Sequence, residues 1–526
     1  MEESRTKNAI RNIQTCAVVQ MVNKIIAFVV RTVFIRVLNS EYLGVNGLFT
    51  NVLTILSFAE LGIGTAIIFN MYKPVAENNI EKIKSLMQLY KKAYNAIGII
   101  VFLLGLCIIP FMNFIVKDAP NIKENLILIY ILFLFNTASS YFFTYKKSII
   151  SAHQKQSVIN NLDSIFYLLK SIIEIIFLFL TKNFIIYLFI EILATFFENI
   201  ILSIKADRMY PYLKERKIKK LSNDESKVIF GNVKSLIIYK FGGVIMNGTD
   251  NILISALVNV STVGYCSNYV LIINSIKSII TSALNGITGS VGNLNAVGEP
   301  KQKEKVFYQI TFANYIVYSF CSIAFITLLN PFISLWLGQN YVLEIAVSIS
   351  LAISFFIEGL RNPGYTYRTT LGLFQKGRTT PYIGAITNII LSILLCKLFG
   401  VAGIFIATGI AQLVSYSWID PYLIHKYEFK TPVSKYFKKY LYYVVIFIIN
   451  SLITFEISNL ISIPGIIGLV FKAIITCVIC NAINLIAFCK TDEFKELKLK
   501  LFDPLLKKIG KKLCYKSNNE IKRKCK

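Results

Sequence analysis

Histidine and charged residues are scarce in this chain of 526 residues. Only 16% of the residues are charged, and histidine and tryptophan each occur twice. His153 and His425 both lie in or near polar connections, and the chain contains no Walker loop, no Gly-x-Ser-x-Gly sequence and no zinc-ligand spacing. The sequence therefore argues against an ATPase or a soluble enzyme, and we expect neither a cofactor nor a bound metal.

Acidic residues are also few, since 29 Asp and Glu stand against 56 Lys and Arg, for a net charge of +27. The basic residues concentrate in alternate connections between apolar windows, at 73–92, 146–155, 205–227, 301–305, 368–378, 426–439 and after Phe488. By the positive-inside rule these connections and both termini are cytoplasmic. We therefore expect no nucleic-acid partner. The basic tail is predicted to lie near anionic lipid headgroups, with a specific protein partner as the alternative.

What the chain has in abundance is apolar sequence. Hydrophobic residues make up 55% of it, and its mean hydropathy is +0.59. Windows long enough to cross a bilayer, about 20 residues each, recur from Ile13 to Phe488, and we count about fourteen of them. The sequence predicts an all-α polytopic membrane protein with about 14 transmembrane helices.

Two halves of the chain come into register at an offset of 220 residues. VLNSEYLGVNG (37–47) then meets LVNVSTVGYCS (257–267), which places Asn39 on Asn259 and Gly44 on Gly264. Each copy would hold six helices, an even number, so we expect two pseudo-symmetric bundles related by an axis along the membrane normal. The predicted domains are a first bundle (1–209), a linker (210–227), a second bundle (228–430), two additional helices (431–490) and a cytoplasmic tail (491–526).

Polar residues form a stripe on the first predicted helix of each copy. The stripe of the second copy has spacings of 3, 4 and 4 residues, which puts its members on one helical face; they are Lys240, Gly243, Asn247 and Asn251. The corresponding positions of the first copy are Gln20, Asn23, Ala27 and Arg31, with Lys24 beside them. We expect these faces to line a ligand cleft. The alternative is that they are close contacts between helices.

A second polar cluster lies in the predicted tenth helix, FFIEGLRNPGYTYRTTLGLFQKGRTTP (355–381). Arg361 and Arg368 are seven residues apart and share a face, and Glu358 precedes Arg361 by three. Pro363 and Gly364 are predicted to interrupt the helix. Arg368, near the cytoplasmic end, is equally well explained as a topogenic charge.

Carboxylates inside apolar windows are candidates for ion coupling. Glu60 and Asp250 have no obvious local partner in the sequence, and Glu358 lies in the cluster just described, so these three are the candidates. An ion pair with Arg31 or Lys240 is the alternative for the first two. Lys170 and Glu174 are four residues apart on one helix and are expected to neutralise each other.

The sequence resembles a known family. FIRVLNSEYLGVNGLFTNVLTILSFAELGIGTAI (34–67), TDNILISALVNVSTVGYCSNYVLI (249–272) and the fourteen-helix plan are similar to the polysaccharide-transport branch of the multidrug/oligosaccharidyl-lipid/polysaccharide (MOP) superfamily. The resemblance implies two six-helix lobes, as in the related multidrug exporters (MATE), with alternating access through a cationic central cavity that receives an undecaprenyl-diphosphate-linked saccharide. Multidrug exporters of this superfamily bind organic cations in acidic cavities, whereas the candidate cavity residues here are mainly basic.

The function expected from these observations is translocation of lipid-linked oligosaccharide repeat units for surface polysaccharide synthesis. Arg31, Lys240 and Arg361 would pair with the diphosphate, and Asn247 and Asn251 would contact sugar hydroxyls. Partners expected from this function are the lipid-linked saccharide, the polysaccharide polymerase and glycosyltransferases. Three alternatives stay open: an ion-coupled small-molecule exporter, a peptidoglycan-precursor flippase, and a membrane scaffold that recruits cytoplasmic enzymes.

Overall fold

The structure is a computed structural model. The residues it describes are 21–57, 60, 70–75, 77–117, 120–153, 155–215, 218, 221, 244–245, 248–373, 375–377 and 379–498.

All regular secondary structure in these residues is helical, and turns, bends and irregular segments connect the helices. The helices, in chain order, are α1 (21–37), α2 (Ser40–Leu56), α3 (Ile80–Leu106), α4 (Leu126–Ala152), α5 (Gln156–Thr181), α6 (Phe184–Met209), α7 (Asp250–Leu257), α8 (Val260–Val297), α9 (Pro300–Leu337), α10 (Ile345–Thr370), α11 (Thr380–Val414), α12 (Tyr416–Ile424), α13 (Ser434–Asn459), α14 (Gly465–Phe488) and α15 (Asp492–Leu497). The predicted all-α class is confirmed.

Nine helical segments of the described residues are long and apolar enough to cross a membrane. One of them, Thr380–Phe429, contains two predicted windows, because the chain breaks at Gly400, where φ is 56° and ψ is −139°. The predicted windows near residues 60 and 242 fall largely outside the described residues. Side chains such as Leu460 and Ile486 are 82% and 78% exposed, as expected of helices whose outer faces contact lipid. The prediction of a polytopic membrane protein is confirmed.

The chain divides into two compact units. Unit 1 comprises Met1–Ser282 and Pro381–Ala411, and unit 2 comprises Ala283–Thr380 and Gln412–Lys526. Each unit has its own buried core, which includes Tyr90 in unit 1 and Phe307 in unit 2. The units interleave along the chain, whereas the predicted bundles are contiguous stretches, so the predicted bundle boundaries stay a prediction.

The internal repeat is visible in how two helices begin. Asn39 precedes α2, and its side chain accepts hydrogen bonds from the backbone N–H groups of Glu41 and Tyr42. Asn259 precedes α8 and accepts from the backbone N–H of Thr262 at 2.8 Å. Both asparagines are therefore N-caps, which satisfy backbone donors that have no partner within the helix. The two residues aligned at an offset of 220 have the same structural role.

The repeat is visible again where α2 contacts α8. A Cβ atom on Gly44 would lie 2.0 Å from the carbonyl oxygen of Val260, and a Cβ atom on Gly264 would lie 2.2 Å from that of Ser40. Ser40 and Val260 are themselves 220 residues apart, as are the two glycines. The contact is therefore reciprocal, and each glycine lets the other helix approach to backbone contact.

We expect Gly44→Ala to destabilise the protein by about 1–3 kcal/mol, because the added methyl group meets a backbone carbonyl that cannot rotate away. The matched control is Gly292→Ala on α8, where the nearest atom to an added Cβ is Thr370 Cγ2 at 3.7 Å. Thermal unfolding of the purified protein in detergent should show a lower Tm for Gly44→Ala alone. Equal Tm values for the two variants would show that the contact is looser than described.

A buried lysine is used in a similar way in each unit. Lys84, at the start of α3, is 6% exposed and contacts Glu81 at 3.0 Å and Glu215 at 2.8 Å. Lys303, at the start of α9, is 7% exposed and contacts Glu428 at 2.5 Å. The two lysines agree to within one residue with the offset of 220. Each one fixes the start of a long helix to a glutamate that follows the last helix of its predicted bundle.

The predicted interruption of the tenth helix is wrong, because α10 continues through Pro363 to Thr370. Packing against α9 explains the continuity. The Tyr318 ring fills the space where Gly359 would carry a Cβ atom, and the Tyr318 hydroxyl accepts a hydrogen bond from Asn362 Nδ2 at 2.8 Å. Both contacts lie in the turn before Pro363, and a neighbouring helix packed there can hold a transmembrane helix together despite the missing N–H.

Candidate functional site

The predicted site residues are distributed over several helices. Gln20, Lys240 and Asn247 lie outside the described residues. Lys24 on α1 and Asn251 on α7 are both half-buried. Of the polar stripe of the second copy, Asn251 is the member that lies within the described residues.

The polar face of α1 packs against α5 and α6. Asn23 Nδ2 donates a hydrogen bond to Ser164 Oγ of α5 at 3.3 Å. The Arg31 guanidinium lies in the electrostatic range of Tyr167 and Tyr187, and its Nη1 has no hydrogen-bond partner among the described residues. The Asn23 contact agrees with the helix-packing alternative for this stripe. Arg31 is different, since its half-buried side chain is positively charged and forms no ion pair with a described carboxylate.

Asp250 lies at the start of α7 in a cluster of polar side chains within unit 1. Thr408 Oγ1 is 3.2 and 3.3 Å from the two carboxylate oxygens of Asp250. Asn388 Nδ2 donates to Thr408 Oγ1 at 2.9 Å, and Asn388 Oδ1 accepts from Thr249 Oγ1 at 3.1 Å. Of the described Lys and Arg residues, none forms an ion pair with Asp250, in contrast to the buried carboxylates of α5 and α12.

Further oxygen atoms surround this group, which we call the Asp250 cluster. Thr408 Oγ1 is also 3.2 Å from the carbonyl oxygen of Ile404. Ser392 is one helical turn after Asn388, on the same face of α11, and its fully buried hydroxyl has no hydrogen-bond partner in the described part of the chain. One carboxylate among neutral oxygens carries a single negative charge, which suits a proton or a monovalent cation.

Thr408, Asn388 and Ser392 were not among the predicted site residues. Charged side chains and the two polar stripes indicated the predicted site residues, whereas Thr408, Asn388 and Ser392 are neutral and lie on α11, outside both stripes. An asparagine within an otherwise apolar window was the signal that could have found them, because an amide buried in a membrane helix requires a partner.

The other two predicted coupling carboxylates have different surroundings. The Glu60 carboxylate is hydrogen-bonded to the Tyr141 hydroxyl, with Tyr94 nearby, so its partner lies 81 residues away and not in the local sequence. Glu358 is half-buried on α10, one turn before Arg361.

Arg361 lies against an aromatic ring in unit 2. Its guanidinium carbon is 3.5 Å from the centroid of the Tyr416 ring and 5.7 Å from that of Tyr365. Its Nε has no hydrogen-bond partner among the described residues. Stacking on an aromatic face holds a guanidinium in place while its N–H groups stay available to a ligand.

Arg368 forms a buried ion pair. Its Nη1 is 2.5 Å from Asp420 Oδ1, its Nη2 donates to the carbonyl oxygen of Gly377 at 2.9 Å, and the two charged side chains are 1% and 0% exposed. The structure thus shows a side-chain interaction where the sequence suggested a ligand-binding or a topogenic charge. Arg361 and Arg368 share a face of α10, as predicted, but Arg361 is the more accessible of the two.

These helices and intramembrane polar groups define an α-helical membrane transporter. A family profile described as "Polysaccharide biosynthesis protein" matches residues 9–290. The chain belongs to this family, and thereby to the polysaccharide-transport branch of the MOP superfamily, whose members are transporters and not enzymes. No curated protein matches the chain.

Solved structures of low sequence identity share the fold. The lipid II flippase MurJ, in an inward closed conformation, is 15% identical, with a TM-score of 0.61 over 90% of this chain and 98% of MurJ. The Vibrio cholerae MATE transporter VcmN is 13% identical, with a TM-score of 0.58 over 82% of this chain and 99% of VcmN. An inward-facing MATE family transporter of the MOP superfamily is also 13% identical, with a TM-score of 0.58 over 76% of this chain and 97% of its own. These similarities confirm the predicted MOP fold.

Proposed function

We propose that this transporter moves an undecaprenyl-diphosphate-linked oligosaccharide repeat unit across the bacterial cytoplasmic membrane by alternating access. The observation that carries the proposal is that Arg31 and Arg361, both in membrane helices, have no carboxylate partner within ion-pair distance among the described residues. Each arginine is half-buried and has one buried nitrogen without a hydrogen-bond partner among the described residues, and a diphosphate would supply both negative charge and bidentate acceptors.

Two acidic residues on other helices already have cations, which supports an anionic ligand. Asp420 is paired with Arg368, and Asp207 with Lys146 at 2.8 Å. The described cations without a carboxylate therefore include two arginines, while these carboxylates already have cations. An exporter of organic cations would need an acidic ligand cavity, and the present proposal assigns the lone carboxylate of Asp250 to ion coupling instead.

The Asp250 cluster is the proposed coupling site. A proton or monovalent cation would bind Asp250 with the oxygens of Thr408 and Asn388, and would bind more tightly in one conformation of the transporter than in another. Such a difference in affinity is what lets an ion gradient drive a conformational change. Glu60 and Glu358 are weaker candidates, since Glu60 already bonds to Tyr141.

A lipid II flippase is the second candidate function. It is favoured by the similarity to MurJ over 90% of the chain, although 15% identity supports the fold and not the cargo. Both candidates carry a lipid-linked saccharide, so the difference between them lies in the sugar.

Deletion of the gene from its native bacterium tests the proposal. We expect loss of one surface polysaccharide and accumulation of its lipid-linked repeat unit inside the cell, with rescue by a plasmid copy. A chain ending at Lys498 should also rescue, because transport does not require the basic tail, whereas a scaffold that recruits enzymes through the tail would fail. Normal surface polysaccharide with altered drug susceptibility would favour the exporter instead, and a cell-wall defect would favour lipid II.

A further inference from the structure

Three groups of ion pairs connect α4, α5 and α6 in unit 1, and we call them the charge ladder. The outer rung is Lys146 with Asp207 at 2.8 Å. The middle rung is Lys147 with Glu198 at 3.1 Å and Asp163 at 3.6 Å. The inner rung is Lys170 with Glu191 at 3.6 Å and Glu174 at 3.7 Å.

The charge ladder extends along most of a membrane-spanning length. On α6 its members are Glu191, Glu198 and Asp207, and the first and last are 16 positions apart, which is about 24 Å at 1.5 Å per residue. On α5, Asp163 and Lys170 are seven residues apart and so share a face. Since the hydrocarbon core of a bilayer is about 30 Å thick, the inner rung lies far from the end of α6 at Met209. The basic connection that follows predicts that this end is cytoplasmic.

The inner rung has more negative than positive charge. Glu174 and Glu191 share one ammonium group, and both N–O distances exceed hydrogen-bond length. The Glu174 side chain is 2% exposed, and its Oε1 has no hydrogen-bond partner among the described residues. The sequence predicts that Lys170 and Glu174 neutralise each other, and the structure places a second carboxylate, that of Glu191, beside Lys170.

The groups facing this rung do not remove the imbalance. Tyr167 and Ser171 face it from α5, and Tyr187 faces it from α6; all three are neutral. Arg31 on α1 lies near the two tyrosines, and no ion pair joins it to Glu174. A buried carboxylate without its own cation is most simply neutralised by a proton.

A cavity joins the middle and inner rungs. It has a volume of about 360 Å³ and is lined by Asp163, Glu198 and Lys170, with Asn23 and Thr195 among its other polar residues. A polar cavity of this size can hold about ten water molecules. Polar side chains and space for water therefore extend from Asp163 and Glu198 to Lys170.

We propose that the inner rung is a proton-binding site of unit 1, in which Glu174 holds the proton and the charge ladder with its cavity connects it to the cytoplasmic end of α6. This site is separate from the Asp250 cluster, with which it shares no residue. Proton binding at Glu174 is independent of the cargo. Its use in coupling rests on the transport function proposed above.

Infrared difference spectroscopy of the purified full-length protein in lipid nanodiscs tests the site without any cargo. The spectrum of the wild type minus that of Glu174→Gln should contain the C=O band of a protonated carboxylic acid at neutral pH, and the band should shift in D₂O. Glu191→Gln should also lose this band, because Lys170 then pairs with Glu174 alone and Glu174 no longer needs a proton to be neutralised. Glu77→Gln is the matched control, since Glu77 is 55% exposed, and it should keep the band.

Two results would overturn the proposal. One is a difference spectrum for Glu174→Gln without the acid band, and the other is a full band in Glu191→Gln. If Glu174→Gln does not fold, Glu191→Gln alone decides, because it keeps Glu174 in place. The gene-deletion experiment tests the cargo separately. If the variants lose the acid band but deletion leaves the surface polysaccharide normal, the proton site is retained and the proposed cargo is refuted. If deletion removes the polysaccharide but the variants keep the acid band, only the proton site is refuted.

Discussion

Asp250→Asn is expected to lower transport about 5- to 150-fold, the range of a typical coupling free energy, and to abolish its response to an ion gradient. The amide keeps the shape of the side chain and can still contact Thr408, but it cannot carry the negative charge that binds a proton or a cation. Asp250 forms no ion pair with a described residue, so removal of its charge does not leave a described cation unpaired.

Membrane vesicles in which a proton or Na⁺ gradient is imposed provide the measurement, with export of the lipid-linked saccharide as the readout. Asp492→Asn is the control, because Asp492 is an exposed carboxylate on α15. Thr408→Val should reproduce part of the defect and Thr408→Ser should not, since serine retains the hydroxyl. Normal gradient sensitivity in Asp250→Asn would exclude the Asp250 cluster as the coupling site.

Arg31→Ala and Arg361→Ala are each expected to reduce export about 10- to 150-fold, which corresponds to the loss of about 1.5–3 kcal/mol of charged hydrogen bonding. Arg→Lys at either position should retain part of the activity, because the charge remains while the bidentate geometry is lost. For Arg361 the lysine also loses the flat stacking on Tyr416.

Export is compared in deletion cells that carry each variant at equal membrane abundance. Arg36→Ala is the matched control, since Arg36 is an exposed arginine on the same helix as Arg31. Equal membrane abundance separates loss of ligand binding from loss of folding. Parental export in both alanine variants would refute the cationic mechanism and make these arginines structural.

The sequence was sufficient for the fold class and for the repeat. An apolar window of transmembrane length predicts a membrane helix directly, because only a lipid environment favours so long an apolar surface. The helix break at Gly400 lies between two windows that the sequence also separates. The offset of 220 was supported by few identities. It nevertheless aligned Asn39 with Asn259 and Gly44 with Gly264, because N-caps and close helix contacts restrict the residue type strongly.

The partners of intramembrane charges could not be predicted in the same way. Arg368 pairs with Asp420, 52 residues later, and Glu60 with Tyr141, and both pairings depend on how separate helices rotate and pack. Pro363 misled the prediction for α10 because local propensity does not include the Tyr318 packing. The residues that complete the Asp250 cluster are neutral, so no charge in the sequence pointed to them.

The crossing of α2 and α8 has a consequence for the origin of the chain. Gly44 meets Val260 as Gly264 meets Ser40, which is the pattern of an isologous interface, in which one patch recognises a second copy of itself. Two copies of a short protein that carries this glycine would form the same contact as a two-fold homodimer, in which any mutation changes both sides at once. In a single chain the two sides can differ, as Ser40 and Val260 do. The two glycines are identical, because each side of the contact requires a surface without a Cβ atom.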